Sequence, residues 1–330
     1  MENKSGVLRR AVRSKGFWMA FAFALFLWLN NTSLFTDRSG QEPVLVAHRA
    51  LGQTYDLQGV KWDTNTAAII HEPAHDYIEN TLPAIQAAFD YGANVVEFDV
   101  RLTQDRQLAV FHDDTLEYRT DGKGYVSDHT MDDLRQLDVG YGYTADDGKT
   151  FPLRGQGVGL MVSIEDVFRA FPDREFLIHV KDGGDQVGPV LLAFFDTLDE
   201  ATLDNVSVYG NDVALDLLRD DYPEIKVFSR PRMIRACSAY LLLGWTGCIP
   251  EAMQNMEILL PVQYARLFWG WPNKFLQRME RVNSRVVLVK YVDGWSDGID
   301  SETDLLKLPE NYTGGVWTNR IDIIGPALKK

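Results

Sequence analysis

Apolar residues in this chain fall into short runs that end at a polar residue, and the runs alternate with segments of helical period. Runs at 44–47, 95–100, 108–111, 176–180, 206–209, 226–229, 285–290 and 315–318 predict buried strands. Between them, 80–91, 130–137, 163–171 and about 186–198, 212–220, 231–243 and 273–283 predict helices. In 80–91, Leu82, Ile85, Ala88 and Phe89 fall on one face, Pro83 sits in the first turn, and Gly92 is the stop. Thr130 with Asp133, and Ser163 with Asp166, have the spacing of a capping box. Strands alternating with helices build parallel βαβ units, so the expected fold is a (β/α)8 TIM-type barrel. A ninth apolar run, 257–261, is assigned to the rim.

One apolar segment stands outside this alternation. No charge occurs from Gly16 to Thr36, and 17–29 is continuously apolar. Twenty helical residues cover about 30 Å, the thickness of a bilayer core. The expected organisation is a basic cytoplasmic tail (1–16), a transmembrane anchor (17–36), a linker (37–43) and a barrel (44–330) with an inserted rim loop at 50–78. Lys4, Arg9, Arg10, Arg13 and Lys15 precede the anchor, which places the amino end in the cytoplasm and the barrel outside it, periplasmic or extracellular. A cleaved signal peptide is the alternative, but no small-x-small site follows.

With 330 residues, 45% of them hydrophobic, the chain can fill one large core. The net charge of -14, despite the basic tail, argues against a nucleic-acid partner. Cys237 and Cys248 would be free to pair in an oxidising space, or to remain as two thiols.

The candidate chemistry lies where strands end, because an α/β barrel delivers those side chains to one mouth. His48, Glu97, Asp99, His112 and Lys181 all occupy such positions. Glu97 and Asp99 share a strand face, and two inward carboxylates cost several kcal/mol uncompensated. A divalent cation, Mg²⁺ or Ca²⁺ for oxygen ligands, is the usual remedy; pairing with Arg101 or Lys181 is the alternative.

These motifs resemble the glycerophosphodiester phosphodiesterase family. The matching text is His48-Arg49-Ala50, Glu79-Asn80-Thr81, Gly92 through Asp105, His112-Asp113-Asp114 and Arg119 through Gly124, with a similar last strand at Trp317–Arg320. The resemblance is dense over 44–140, fair at 163–182 and thin from 183 to 313. It implies metal-dependent hydrolysis of glycerophosphodiesters to glycerol 3-phosphate and an alcohol, with His48 and His112 as general acid and base. It implies Glu79, Glu97 and Asp99 around the metal, Arg49 and Lys181 on the phosphate, and a small or lipid-derived phosphodiester as substrate. The alternatives are phospholipase C- or D-like cleavage of intact lipid headgroups and, more remotely, a non-catalytic binding barrel.

Three positions depart from the pattern. Ala50 replaces a glycine, and the loop 50–78 is long. His179 stands where the family has a ligating Glu, so His179 is itself a candidate ligand and divalent ions other than Mg²⁺ and Ca²⁺ become candidates. His71, His75 and His129 read as ordinary surface or loop residues. The aromatic cluster Trp269-Gly270-Trp271-Pro272 is a candidate rim for an apolar headgroup or a membrane surface.

Overall fold

The computed structural model describes residues 14–329; Lys4, Arg9, Arg10 and Arg13 of the basic tail lie outside them. Along the described residues run β1 (Val44–Ala47), β2 (Val95–Leu102), β3 (Leu108–Val110), β4 (Glu175–Val180), β5 (Val206–Gly210), β6 (Lys226–Phe228), β7 (Glu257–Pro261), β8 (Arg285–Val292), β9 (Trp295–Asp297) and β10 (Gly315–Thr318). Eight of these lie side by side in the order β6-β5-β4-β2-β1-β10-β8-β7. Every pairing between neighbours on this path is parallel. The backbone N–H of Val227 reaches the Asn255 carbonyl at 3.2 Å, so the ring is nearly closed. This is the TIM-type barrel expected from the alternation.

The surplus strand is not the one anticipated. The 257–261 run is a full barrel stave, paired with β8 from Glu257 to Pro261. It is β3 that leaves the barrel, pairing antiparallel with the end of β2. The turn between them is too short for a crossover: Thr103 N–H bonds Gln107 O at 3.0 Å, and so tight a connection returns the chain antiparallel. His112 therefore arrives from a hairpin rather than from a barrel strand.

The helices are α1 (Lys15–Asn31), α2 (Leu82–Asp90), α3 (Met131–Leu134), α4 (Ile164–Ala170), α5 (Val187–Phe195), α6 (Glu200–Leu203), α7 (Asp212–Asp221), α8 (Arg230–Leu243), α9 (Val262–Ala265), α10 (Asn273–Glu280), α11 (Glu302–Leu305) and α12 (Ile321–Leu328). Both expected capping boxes form, Thr130 with Asp133 and Ser163 with Asp166. The main core lies between staves and helices, with the Phe176 ring in contact with both Phe98 and Phe168. The segment 138–160, rich in glycine and aspartate, contributes Tyr143 and Leu153 to a second core beneath the rim. Its turns wrap a buried carboxylate: Asp138 accepts from the N–H groups of Gly140, Gly155 and Gly157.

An ionic cluster closes the opposite end of the barrel. Glu257, fully buried at the start of β7, takes Arg285 of β8 at 2.6 Å and the Ser207 hydroxyl of β5 at 3.2 Å. Arg285 also bridges to Glu175 of β4.

Helix α1 departs from the anchor expected over 17–36. It stops at Asn31 because the next groups are used by the body. The side chains of Asn30 and Asn31 each donate to the Trp245 carbonyl at 2.9 Å, and Thr36 is buried. Seventeen residues cover roughly 25 Å at the helical rise. Among the described residues no helix is long and apolar enough to cross a membrane. Cys237 and Cys248 are free thiols.

Candidate active site

The chain leaves β1 through a sharp turn in which Arg49 and Ala50 both take left-handed backbone angles, φ 53° and 66°. Alanine there is strained by on the order of 1 kcal/mol, which explains a glycine in the related motif. The turn aims the Arg49 N–H at the Glu97 carboxylate (2.8 Å) and the Ala50 N–H at the Glu97 carbonyl (3.0 Å). Gly52 follows where an added Cβ would stand 2.7 Å from the Glu79 Cβ, so the loop can pass Glu79 only as glycine.

Strand register assembles the next layer. Asp99 of β2 pairs with His179 of β4, and His179 with Tyr209 of β5. Side chains at paired positions share a face. His179 Nδ1 accordingly lies 3.0 Å from Asp99, while its ring stacks on Tyr209 with centroids 4.0 Å apart. The Tyr209 hydroxyl donates to Glu97 at 2.6 Å. Ligand atoms of Glu97, Asp99 and His179 all lie within 4.8 Å of one another.

Two carboxylates buried side by side cannot ionise equally. Burial, then Asp99, pushes the Glu97 carboxyl up to about 8. Burial also penalises the Asp99 anion, but Lys181, His112 and Arg49 outweigh it and hold Asp99 well below the usual carboxylate range. Asp99 faces two cations, Arg49 at 3.4 Å and Lys181 at 3.7 Å, whereas Arg101 pairs instead with Asp182. Two oxygen donors and one imidazole fit a divalent cation, with the nitrogen widening the choice of metal. Glu79 stands apart: its carboxylate is gripped by Arg49 at 3.0 Å and Arg119 at 3.3 Å.

Each imidazole is oriented through its Nδ1. His48 donates to the Asn319 amide oxygen at 2.6 Å; that amide is itself fixed because its nitrogen donates to Asp297 and Asp300. His112 donates to Asp113 at 2.6 Å, and the buried Arg119 clamps the other Asp113 oxygen. Both rings thereby keep Nε2 for the cavity. Lys181 Nζ lies 3.1 Å from His112 Nε2. Arg101 donates twice to the His112 carbonyl, locking the hairpin exit to the barrel rim. Burial, then Arg49, lowers the His48 pKa to about 3, and burial with Arg49 and Lys181 drives His112 well below the usual imidazole value. Burial and Lys181 bring His179 to about 4.

His48, Arg49, Glu79, His112, His179 and Lys181 thus line one cavity of about 1560 Å³, with Glu97 and Asp99 buried beside it. His71 of the rim loop also lines it; His129 bonds the Lys123 carbonyl at the surface. Sequence reasoning missed three residues. Asn319 follows the last apolar run, Arg119 lies in a quoted motif without an assigned role, and Tyr209 ends a strand. The strand-end position signalled Asn319 and Tyr209; nothing in spacing alone signalled Arg119.

Comparison with known proteins places this geometry in context. Residues 48–189 match the model of the Glycerophosphoryl diester phosphodiesterase family. The chain is 34% identical over 103 residues to a glycerophosphodiester phosphodiesterase of Caldanaerobacter subterraneus subsp. tengcongensis, covering 31% of this chain and 39% of that one. It is 40% identical over 82 residues to human glycerophosphodiester phosphodiesterase 1, covering 24% and 25%. The aligned part thus spans well under two thirds of these relatives. Among solved structures, the glycerophosphoryl diester phosphodiesterase domain of the Mycobacterium tuberculosis protein Rv2277c superposes with TM-score 0.56 at 17% identity, covering 87% of this chain and 98% of that domain. An Oleispira antarctica phosphodiesterase in complex with sn-glycerol-3-phosphate superposes with TM-score 0.52 at 17% identity, covering 88% and 98%. At these identities the likeness is one of fold.

Proposed function

Starting from the membership of residues 48–189 in the glycerophosphoryl diester phosphodiesterase family, we propose that this chain hydrolyses glycerophosphodiesters to glycerol 3-phosphate and an alcohol. The observation that carries the reading is the pair of imidazoles, His48 and His112, each tethered at Nδ1 and facing one cavity beside Arg49 and Lys181.

In this mechanism Arg49 and Lys181 bind the diester's anionic oxygens. Asn319 offers His48 a neutral acceptor, which suits a base, while Asp113 offers His112 a carboxylate, which favours its cation. His48 Nε2 takes the proton of the attacking oxygen as the new P–O bond forms. His112 Nε2 protonates the departing alkoxide as the old bond breaks. Burial, then Arg49 and Lys181, disfavour the His112 cation, and the bound diester anion offsets the two cations. Glu97, Asp99 and His179 would hold a divalent ion, which would supply charge neutralisation at the phosphate. Glu79 positions Arg49 and Arg119.

We read α1 as a membrane tether that holds the barrel at a lipid surface. Its apolar side chains and the cations that precede it support this. A second substrate reading, an intact lipid or lysolipid, is favoured by one observation: the cavity exceeds the usual 300–1,000 Å³ for small ligands and has an apolar wall of Ile234, Leu241, Leu267 and Phe268. The test is a panel of glycerophosphocholine, glycerophosphoethanolamine, lysophospholipid and phospholipid, assayed with Mg²⁺, Ca²⁺, Mn²⁺ and Zn²⁺ in turn. Release of glycerol 3-phosphate from the first two is expected. Cleavage of lipids alone would establish the second reading, and no hydrolysis with any metal would sink both.

A further inference from the structure

Two stretches of this acidic chain contain no carboxylate at all. Residues 230–250 and 258–279 include no Asp or Glu, yet carry Arg230, Arg232, Arg235, Arg266, Lys274 and Arg278. The stretches are α8 with the turn after it, and the end of β7 through α10. They meet in space: the Tyr240 hydroxyl donates to the Trp269 carbonyl at 2.8 Å, and the Trp269 indole donates to the Leu241 carbonyl at 2.9 Å.

The same stretches expose apolar side chains. Leu242 is 74% exposed and Leu267 63%, with Ile234, Leu243, Tyr264 and Trp269 also at the surface. Such side chains, gathered on two contacting segments, mark a surface that something covers. Arg235 and Arg266 are exposed and form no ion pair among the described residues.

Helix α1 is bolted to this face. Arg278, buried, donates to the Asn30 carbonyl, the Asn31 side chain, the Tyr240 hydroxyl and the Gly244 carbonyl. The Phe23 ring packs edge-on against Trp245 at 5.8 Å, and Ser33 bonds the Gly270 carbonyl. No residue of α1 is buried against the body. Its apolar surface and that of α8 and the 262–272 segment are therefore joined rigidly rather than by a loose linker.

We propose that α1, the outer face of α8 and the 262–272 segment dock together on one anionic lipid bilayer. Apolar side chains and tryptophans enter the headgroup boundary while Arg235 and Arg266 meet lipid phosphates. The exposed apolar side chains of α1, continuous with this face, select a bilayer over a second copy of the chain. Ile234, Tyr264 and Leu267 also line the catalytic cavity, so docking brings the cavity wall to the lipid surface. This inference rests on the membrane-tether reading, and the experiment separates the two.

The test is amide hydrogen exchange on the full chain in nanodiscs of phosphatidylcholine, with and without 30% phosphatidylglycerol. Protection is expected in 17–29 in both, and in 240–247 and 264–269 at least fivefold greater with phosphatidylglycerol. The combined variant Arg235→Glu and Arg266→Glu should lose the second protection and keep the first. An unprotected α1 overturns the tether reading. A protected α1 with 240–247 and 264–269 unchanged overturns this inference alone, as does protection that grows with protein concentration, the sign of a second copy.

Discussion

The amide oxygen of Asn319 accepts the Nδ1 proton of His48 at 2.6 Å, and Asp297 and Asp300 hold the amide so that it cannot turn round. A residue 271 positions away thus sets the tautomer of the ring at the end of β1. Asn319→Ala should lower kcat on glycerophosphocholine by about 10–100-fold with KM within about twofold, because the amide acts through His48 rather than on substrate. His112→Ala should cost about 10²–10⁴-fold. Steady-state kinetics check both; an unchanged kcat in Asn319→Ala would remove the tautomer argument.

His179 gives the cluster with Glu97 and Asp99 its only nitrogen donor. His179→Glu should tighten Ca²⁺ and Mg²⁺ and weaken Zn²⁺, each by about tenfold, by calorimetric titration. Exhaustive chelation of the native chain should abolish turnover. Full activity after chelation would show that these carboxylates serve no metal.

At the closed end of the barrel, Arg285 is the cation of the buried Glu257. Arg285→Met should destabilise by about 3–5 kcal/mol, since it strands a buried charge. The double variant Arg285→Met, Glu257→Leu should recover most of that loss. Urea unfolding decides it, and a mild single-variant effect would mean that water reaches Glu257.

Asp304 has its carboxyl held at about 2, against an ordinary 3.8. Burial works against this, but Lys307, the Ser301 hydroxyl and Lys290 prevail. A folded pKa below the unfolded one adds stability that is complete above about pH 4 and is lost as pH falls through 2. The native chain should therefore lose about 2 kcal/mol more than Asp304→Asn between pH 5 and pH 2. Equal acid slopes in urea unfolding would contradict the assignment.

The sequence displayed the chemistry more fully than its geometry. His48, Arg49, Glu97, Asp99, His112 and Lys181 were legible because each ends or interrupts an apolar run, and a barrel collects such positions at one mouth. The swap between β3 and β7 was not legible. Both are short apolar runs, and only hydrogen-bond partners tell a hairpin strand from a stave. The extent of α1 was likewise hidden, because Asn30 and Asn31 continue a helical pattern locally but are spent on Trp245 and Arg278 far along the chain.

Period and strand-end polarity alone determined a parallel barrel with two histidines and two carboxylates at its mouth, since those signals are local. The tertiary structure decided what each group faces. It put Glu79 between two guanidinium groups, gave His179 both Asp99 and Tyr209, and supplied Asn319 and Arg119 from distant segments. Such partnerships depend on strand register and on which loops meet, and no local pattern of residues encodes a contact made across a barrel.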